Sequence, residues 1–458
     1  MAGARYRPTP GPGLIPAPVP AAVVWAARAA GLLLFVIVVV ARGGPLSAQT
    51  DARAVTFPTT AVSHGQWRLA EQETLIPDPP GYPLLAAPVV TVLRPLVGSP
   101  VWCSSRPVPA SLGGGSQAAY YRSLLHLCSS QQPARRALPP WYRSQAVLGV
   151  LAWLVLLAGV QLLLRAVHRR PTVAEVVAAL GLAVLPFTGD ALVESFHPQD
   201  LLSVGLGCAA LAQCLRRRWV LSGLLFGAAV LSKQFAVLVL LAALVSAPSH
   251  RDRAKLGGSA LAAVVAGIAP FWAADQAATW HALSGTYVAG VGIIRSATAV
   301  GLLGMAEGTK LAIARDGPVL LSALLCLALW WKARDRLSTP QAVIGLSLAC
   351  LATRLVLEVS IYEYYFLAAA VFLFVLDLAA GRLPVWSTAW VLCTRYGLLS
   401  LASAARPGWT ATGFLACAVA AFAVGLSALA PSAHRPVVER KRLLRSFSGG
   451  GPGLVPRG

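Results

Sequence analysis

The sequence predicts an all-α polytopic membrane protein with about twelve transmembrane helices and a long first extracytoplasmic loop. Three observations lead to this fold class. Of 458 residues, 57% are hydrophobic and 12% are charged, against roughly 45–50% apolar and about 25% charged in soluble domains. Apolar stretches close to the length of about 20 residues that crosses a bilayer recur along most of the chain. The 38 Lys and Arg outnumber the 17 Asp and Glu, for a formal charge of +21, and the cations gather in short loops between apolar stretches, as the positive-inside rule describes. A soluble fold, intrinsic disorder and a disulfide-dense scaffold are excluded.

Residues 1–21 form a Pro-rich leader carrying Arg5 and Arg7. The first span, near 22–40, has no small-residue cleavage site after it, so it is expected to stay as a signal anchor. Residues 43–144 are the long outer loop, rich in Pro, Gly, Ser and Gln. Further spans are expected near 145–166, 173–194, 199–215, 219–232, 234–248, 256–274, 317–332, 340–358, 364–380, 385–404 and 409–430. A break at Ser232-Lys233-Gln234 is preferred to one tilted helix, because it moves a charge from mid-bilayer to an interface. Alternating the sides puts Arg165/Arg169/Arg170, Arg216–Arg218, Arg251/Arg253/Lys255, Lys332/Arg334/Arg336 and Arg382 with the N-terminus, hence in the cytoplasm. The transmembrane domain thus covers 22–430, followed by a basic cytoplasmic tail at 431–448. Residues 449–458 read as a linker and protease-site scar, ending Leu454-Val455-Pro456-Arg457-Gly458, and are left out of the fold. Since the basic excess is mainly topological, nucleic acid is not an expected partner. Arg395 breaks the pattern by landing mid-span.

With this topology most acids face outward, including Asp51, Asp190, Glu194, Asp200, Glu358 and Glu363. Ionisable groups at membrane depth are unfavourable, so each is a functional candidate. Cys103 and Cys128 share the oxidising outer loop and could close a disulfide, whereas the other six cysteines lie in spans as small apolar residues. No Cys/His pair has metal-ligand spacing, and no Walker loop or dinucleotide-binding glycine motif is present.

Four features follow one another on the outer side. Asp51 lies shortly after the first span, followed by His64-Gly65-Gln66-Trp67 and by Asp78-Pro79-Pro80-Gly81-Tyr82-Pro83. Glu194-Ser195-Phe196-His197-Pro198-Gln199-Asp200 makes a tight turn between the third and fourth spans. Ser222-Gly223-Leu224-Leu225-Phe226-Gly227 then leads to Lys233-Gln234. Arg354 and Glu358 precede Ile361-Tyr362-Glu363-Tyr364-Tyr365-Phe366.

This order resembles the GT-C superfamily of membrane glycosyltransferases, and within it glycosyltransferase family 87, which includes actinobacterial phosphatidylinositol-mannoside mannosyltransferases and arabinofuranosyltransferases. Such proteins have an Asp after the first span, a Tyr-Pro-Pro-like stretch later in the same loop, and a small-residue helix ending in Lys. The chain departs from the pattern at His197-Pro198-Gln199-Asp200, where relatives tend to have a Gly-Gln turn, and at Tyr364-Tyr365, where the mannosyltransferases show a His pair. Both departures leave the sugar and the acceptor open.

The resemblance implies transfer of mannose or arabinofuranose from a polyprenyl-phosphate donor to a cell-envelope glycan or glycolipid, with inversion. A base must take the acceptor proton, and Asp51 is the candidate, set against a solvated loop carboxylate. Cations must meet the leaving phosphate. The candidates are Lys233, set against a lysine snorkelling to the interface; Arg354; and Arg395, which could instead neutralise a buried acid. His64, Tyr82, Glu194, His197, Gln199, Asp200, Gln234, Glu358, Tyr362, Glu363 and Tyr364 are candidate substrate contacts, against polar turns and an interfacial aromatic belt. No cofactor and no catalytic metal are expected, since the acids are dispersed and no Asp-x-Asp occurs. The expected partners are membrane lipid, the lipid-linked sugar and the acceptor; a monomer suffices. The expected location is a bacterial, actinobacteria-like plasma membrane, with the site extracytoplasmic and both termini cytoplasmic. The competing class is a transporter or flippase without covalent chemistry, which broken helices and buried ions also suit.

Overall fold

The computed structural model of the protein describes residues 18–42, 58–59, 61–65, 67, 81–97, 140–284, 298–359, 361–398 and 407–430. Among them the secondary structure is helical, apart from one isolated bridge between Pro18 and Thr172. The helices are α1 (Ala21–Ala41), α2 (Gly81–Val97), α3 (Pro140–His168), α4 (Val173–Val184), α5 (Pro186–Gly189), α6 (Pro198–Leu215), α7 (Trp219–Ser232) and α8 (Ala236–Ser246). They continue as α9 (His250–Ala274), α10 (Gln276–Ser284), α11 (Ala299–Leu302), α12 (Glu307–Ala333), α13 (Pro340–Leu357), α14 (Leu367–Ala379), α15 (Val385–Leu392) and α16 (Pro407–Ser427).

Within the described residues each expected span contains a helix or a helix pair, but the lengths differ; residues 399–404 of the span expected at 385–404 lie outside them. Among the described residues, six helices are long and apolar enough to cross a membrane by themselves, and a seventh candidate is the broken pair Val173–Val184 and Pro186–Val193, bent by 51°. The break follows from Pro186, which disfavours helix at Leu185 and restarts it from the first helical position. The expected break at Lys233 is present, with α7 and α8 shorter than a span on either side.

Small residues set the packing, as expected where lipid gives no hydrophobic drive for helix association. Helices α3 and α6 meet most closely at Gly159 and Gly205: a Cβ on Gly159 would run into the Gly205 carbonyl, and one on Gly205 into the Leu156 backbone. Gly31 likewise brings α1 against Ala179 of α4, and Gly345 and Gly425 bring α13 against α16. Phe35 stacks on Trp153 across the α1–α3 contact, with ring centroids 4.6 Å apart.

Contacts along the helices fix their directions. Ser222 of α7 bonds the Ala210 carbonyl, and Ser203 of α6 bonds that of Ala229, so α6 and α7 are antiparallel. Gly223 and Gly227 of α7 meet Leu256 and Ala260 of α9, so α7 and α9 run in parallel. The chain must therefore turn back between them, which makes α7 and α8 a hairpin with Lys233 at its tip. Ser249 caps α9 by accepting from the Asp252 amide (3.1 Å), and Arg253 in its first turn bonds the last carbonyls of α8.

These directions gather the basic loops at one end of the bundle. His168 bonds the Leu378 carbonyl, Gln341 that of Ala379, and Arg334 that of Pro248. The start of α1 is tied there as well, through Val19 to Pro171. At this end Glu175, fully buried, pairs with Arg165 at 2.8 Å, while Arg28 of α1 bonds Gln161 at 2.6 Å.

One prediction concerns the α3–α6 contact. Replacing Gly205 with Leu should destabilise the purified protein by roughly 1–3 kcal/mol or more, because a packed interface tolerates no added side chain. Gly207→Ala, on the same helix but with open space around it, should be neutral or stabilising by about 1 kcal/mol. Thermal unfolding in detergent separates the two.

Candidate functional site

The end opposite the basic loops carries most of the candidate residues, and it is built from four stretches. Pro198 starts α6, so His197, Gln199 and Asp200 sit at that helix's entry, all three buried. His197 Nδ1 accepts from the Gln199 side-chain Nε2 at 2.9 Å, and the ring lies 3.7 Å from the Asp200 carboxylate and stacks on Tyr364, centroid to centroid 4.2 Å. Tyr364 belongs to a 3₁₀ turn, Glu363–Phe366, and Tyr362, just before the turn, contacts Tyr364 and Tyr365, which contact each other.

Lys233 ends α7 in extended conformation, and the Ser203 hydroxyl lies 3.4 Å from its carbonyl. Arg354, in the last turn of α13, pairs with Glu358 at 3.5 Å, a loose separation for an ion pair. Its guanidinium lies over the rings of Tyr365 (4.6 Å) and Phe235 (5.0 Å), an arrangement that favours a cation in a partly desolvated place. Lys233 and Arg354 both act electrostatically on Glu358, and Asp200 acts on Arg354. The hairpin tip, the start of α6 and the end of α13 thus share one charged cluster.

A second charged node stands beside it. Asp190 is fully buried and receives Arg42 at 2.6 Å and Arg395 at 2.8 Å. Arg42 ends α1 and also reaches the Pro186 carbonyl; a Cβ on Gly189 would occupy the place of its guanidinium. Asp190 opens a π-helical turn, Asp190–Glu194, and Arg395 lies in another, Cys393–Leu398. Such turns re-aim side chains within a helix. The first is joined to the charged cluster by the His197 amide, which donates to the Ala191 carbonyl. Arg395, expected mid-span as a phosphate ligand, here neutralises the buried Asp190.

Over the hairpin tip lies α2. A Cβ on Gly81 would strike the Leu231 backbone, so the helix settles directly on the end of α7. Tyr82, Ala86 and Val90 of α2 pack on Leu148 and Phe196. Beside it, Ala61, Val62 and Trp67 pack on Phe271 and Ala87, with Trp67 edge-on to Phe271. His64 is exposed on this platform, 3.3 Å from the Ser63 hydroxyl, and Gln234 is exposed at the hairpin tip.

The remaining candidates divide as follows. Tyr362 and Glu363 are half-buried at the start of the 3₁₀ turn. The backbone of Glu194 lies in the first π turn. Asp51, Cys103 and Cys128 lie outside the described residues. Arg42, Phe196, Phe235 and Tyr365 are site residues that the sequence reading left out. Arg42 looks like any cation at a helix end. Phe196 is marked only by its backbone, at φ 48°, and the two ring contacts of Arg354 join residues far apart in sequence.

Removing the Asp190 carboxylate takes a partner from two guanidinium groups at once. Asp190→Ala should cost roughly 3–5 kcal/mol, whereas Arg395→Met, which leaves the Arg42 pair intact, should cost clearly less. Thermal unfolding of the two variants in detergent gives the order; equal losses would contradict the double pairing.

Residues 134–360 match the family model described as Glycosyltransferase family 87. The match takes in α3 to α13 and with them His197, Asp200, Lys233, Arg354 and Glu358, while Asp51 and Tyr82 precede it and Arg395 follows. No curated protein matches the chain.

Proposed function

We propose, for a chain whose centre is a glycosyltransferase family 87 domain, that it transfers mannose or arabinofuranose from a polyprenyl-phosphate donor to a cell-envelope glycan or glycolipid. The reading places the reaction on the extracytoplasmic face of a bacterial plasma membrane, with both termini cytoplasmic. The observation that carries it is the meeting of Lys233, Arg354, Glu358, Asp200 and His197, from three separate stretches, at the end of the bundle away from the basic loops.

The step is a single displacement. The acceptor hydroxyl oxygen bonds to the anomeric carbon as the bond from that carbon to the phosphate oxygen breaks. The hydroxyl proton passes to Asp51, and polyprenyl phosphate leaves with one more negative charge than it carried as a diester. Lys233 and Arg354 meet that charge. The donor phosphate competes with Glu358 for Arg354, which the loose 3.5 Å pairing permits. The Asp200 and Glu358 carboxylates keep the two cations oriented before the donor arrives. His197 and Tyr364, ring against ring, offer a polar edge and an aromatic face to a sugar, with Gln199, Tyr362 and Glu363 close by. Arg42, which ends α1, stands nine residues before Asp51, a stretch that spans at most about 30 Å. The base is therefore tethered to the Asp190 node.

The test is transfer by the purified protein from polyprenyl-phospho-mannose and polyprenyl-phospho-arabinose to envelope acceptors. Asp51→Asn should lower the rate by roughly 10²–10⁴-fold, and Lys233→Ala by about 10²–10³-fold. A chelator such as EDTA should leave the rate unchanged, since the step assigns no role to a metal. Full activity in Asp51→Asn would remove the base assignment. Absence of transfer from every lipid-linked donor, with substrate flux in liposomes, would replace the reading with a transporter, the class that a broken-helix hairpin also suits.

A further inference from the structure

Tyr82 presents a hydroxyl that the packing does not explain. Its residue is 5% exposed, and it belongs to an apolar cluster with Ala86, Val90, Leu148 and Phe196, against which Val89 and Leu202 pack. Among the described residues the hydroxyl has no hydrogen-bond partner. Buried tyrosines ordinarily find one, and an unmet buried donor is unfavourable. Phenylalanine would fill the same space without that penalty.

The ring on which Tyr82 rests is itself held at a cost. Phe196 has φ 48°, the left-handed region, although it carries a bulky side chain and is buried. Conformations of this kind persist where the surrounding structure over-determines them, often beside functional sites. Phe196 immediately precedes His197, whose ring lies on Tyr364. The neighbour of Tyr82 on the other side, Gly81, rests on Leu231, two residues before Lys233. Through Phe196 and Gly81, Tyr82 therefore stands between the His197 turn and the hairpin tip.

We infer that the Tyr82 hydroxyl is a donor to the phosphate of the polyprenyl-phosphate substrate, a contact made when α2 lifts from the hairpin tip to admit the headgroup. The inference rests on the function proposed above and adds a residue outside the span of the family match. The outward side of α2 exposes Leu85 and Val92, an apolar surface along which an isoprenoid chain can lie while its phosphate reaches Lys233. A bond to the donor phosphate explains why an oxygen is retained where apolar packing alone would favour Phe.

The experiment compares the full-length protein with Tyr82→Phe in detergent, using polyprenyl phosphate alone as the probe and then the transfer assay. Without probe, the melting temperature of Tyr82→Phe should equal or exceed that of the unmodified protein. With probe, the affinity read from the thermal shift should fall about tenfold or more, as for loss of one hydrogen bond to a charged group. In the transfer assay, KM for the lipid-linked donor should rise while KM for the acceptor stays unchanged. Unaltered probe affinity, or a rise in acceptor KM alone, would overturn the inference while leaving the donor class in place. A lower melting temperature without probe would reveal an internal partner and overturn it as well. If polyprenyl phosphate does not stabilise even the unmodified protein, the donor assignment itself fails.

Discussion

A charge in a medium that cannot solvate it must be met by another charge or brought to an interface. Asp190 is the place where this constraint organises the molecule. It is fully buried and held by Arg42 and Arg395, so the exit of α1, the π turn before α6 and the end of α15 meet at one carboxylate. The entry of α6, with His197 and Asp200, follows directly from that turn. Each backbone irregularity here, the break at Pro186, the two π turns and the left-handed Phe196, lies in or beside these connections.

The same constraint acts at the hairpin tip. A lysine in the middle of one long helix would have no interface to reach; at the tip of α7 and α8 it stands beside the end of α13 and the start of α6. Arg354 is served differently, by the loosely paired Glu358 and by two aromatic faces. Loose pairing suits a site in which an anion must be exchanged. The tight, doubly bonded Asp190 suits a joint that holds still.

Much of this was legible in the sequence. The break at Lys233 followed from the unfavourable placement of a charge in an apolar run, and the grouping of the basic loops at one end followed from counting sides. The order of the outer features from Asp51 to Arg354 already resembled the family that matches residues 134–360, although His197-Pro198-Gln199-Asp200 departs from its pattern. What stayed hidden depends on contacts between distant stretches. Arg395 could be read as a phosphate ligand or as the partner of a buried acid, and only the tertiary structure shows the acid, Asp190, that it approaches. Arg42 and Tyr365 carry no local mark at all, because their roles lie in what faces them across the bundle.

By itself, then, the sequence determined the class of molecule, the positions of its helices and the set of ionisable groups that lipid would not tolerate idle. Those follow from hydropathy and charge, which are local and additive along the chain. The tertiary structure decided which charge answers which, and among the described residues it set helices long enough to cross a membrane beside shorter, broken ones. It also set α2 over the hairpin tip, with a tyrosine hydroxyl sealed beneath it. Those outcomes depend on the close approach of small residues such as Gly81, Gly159 and Gly205, and no property of a single stretch reports which backbone will come to lie against it.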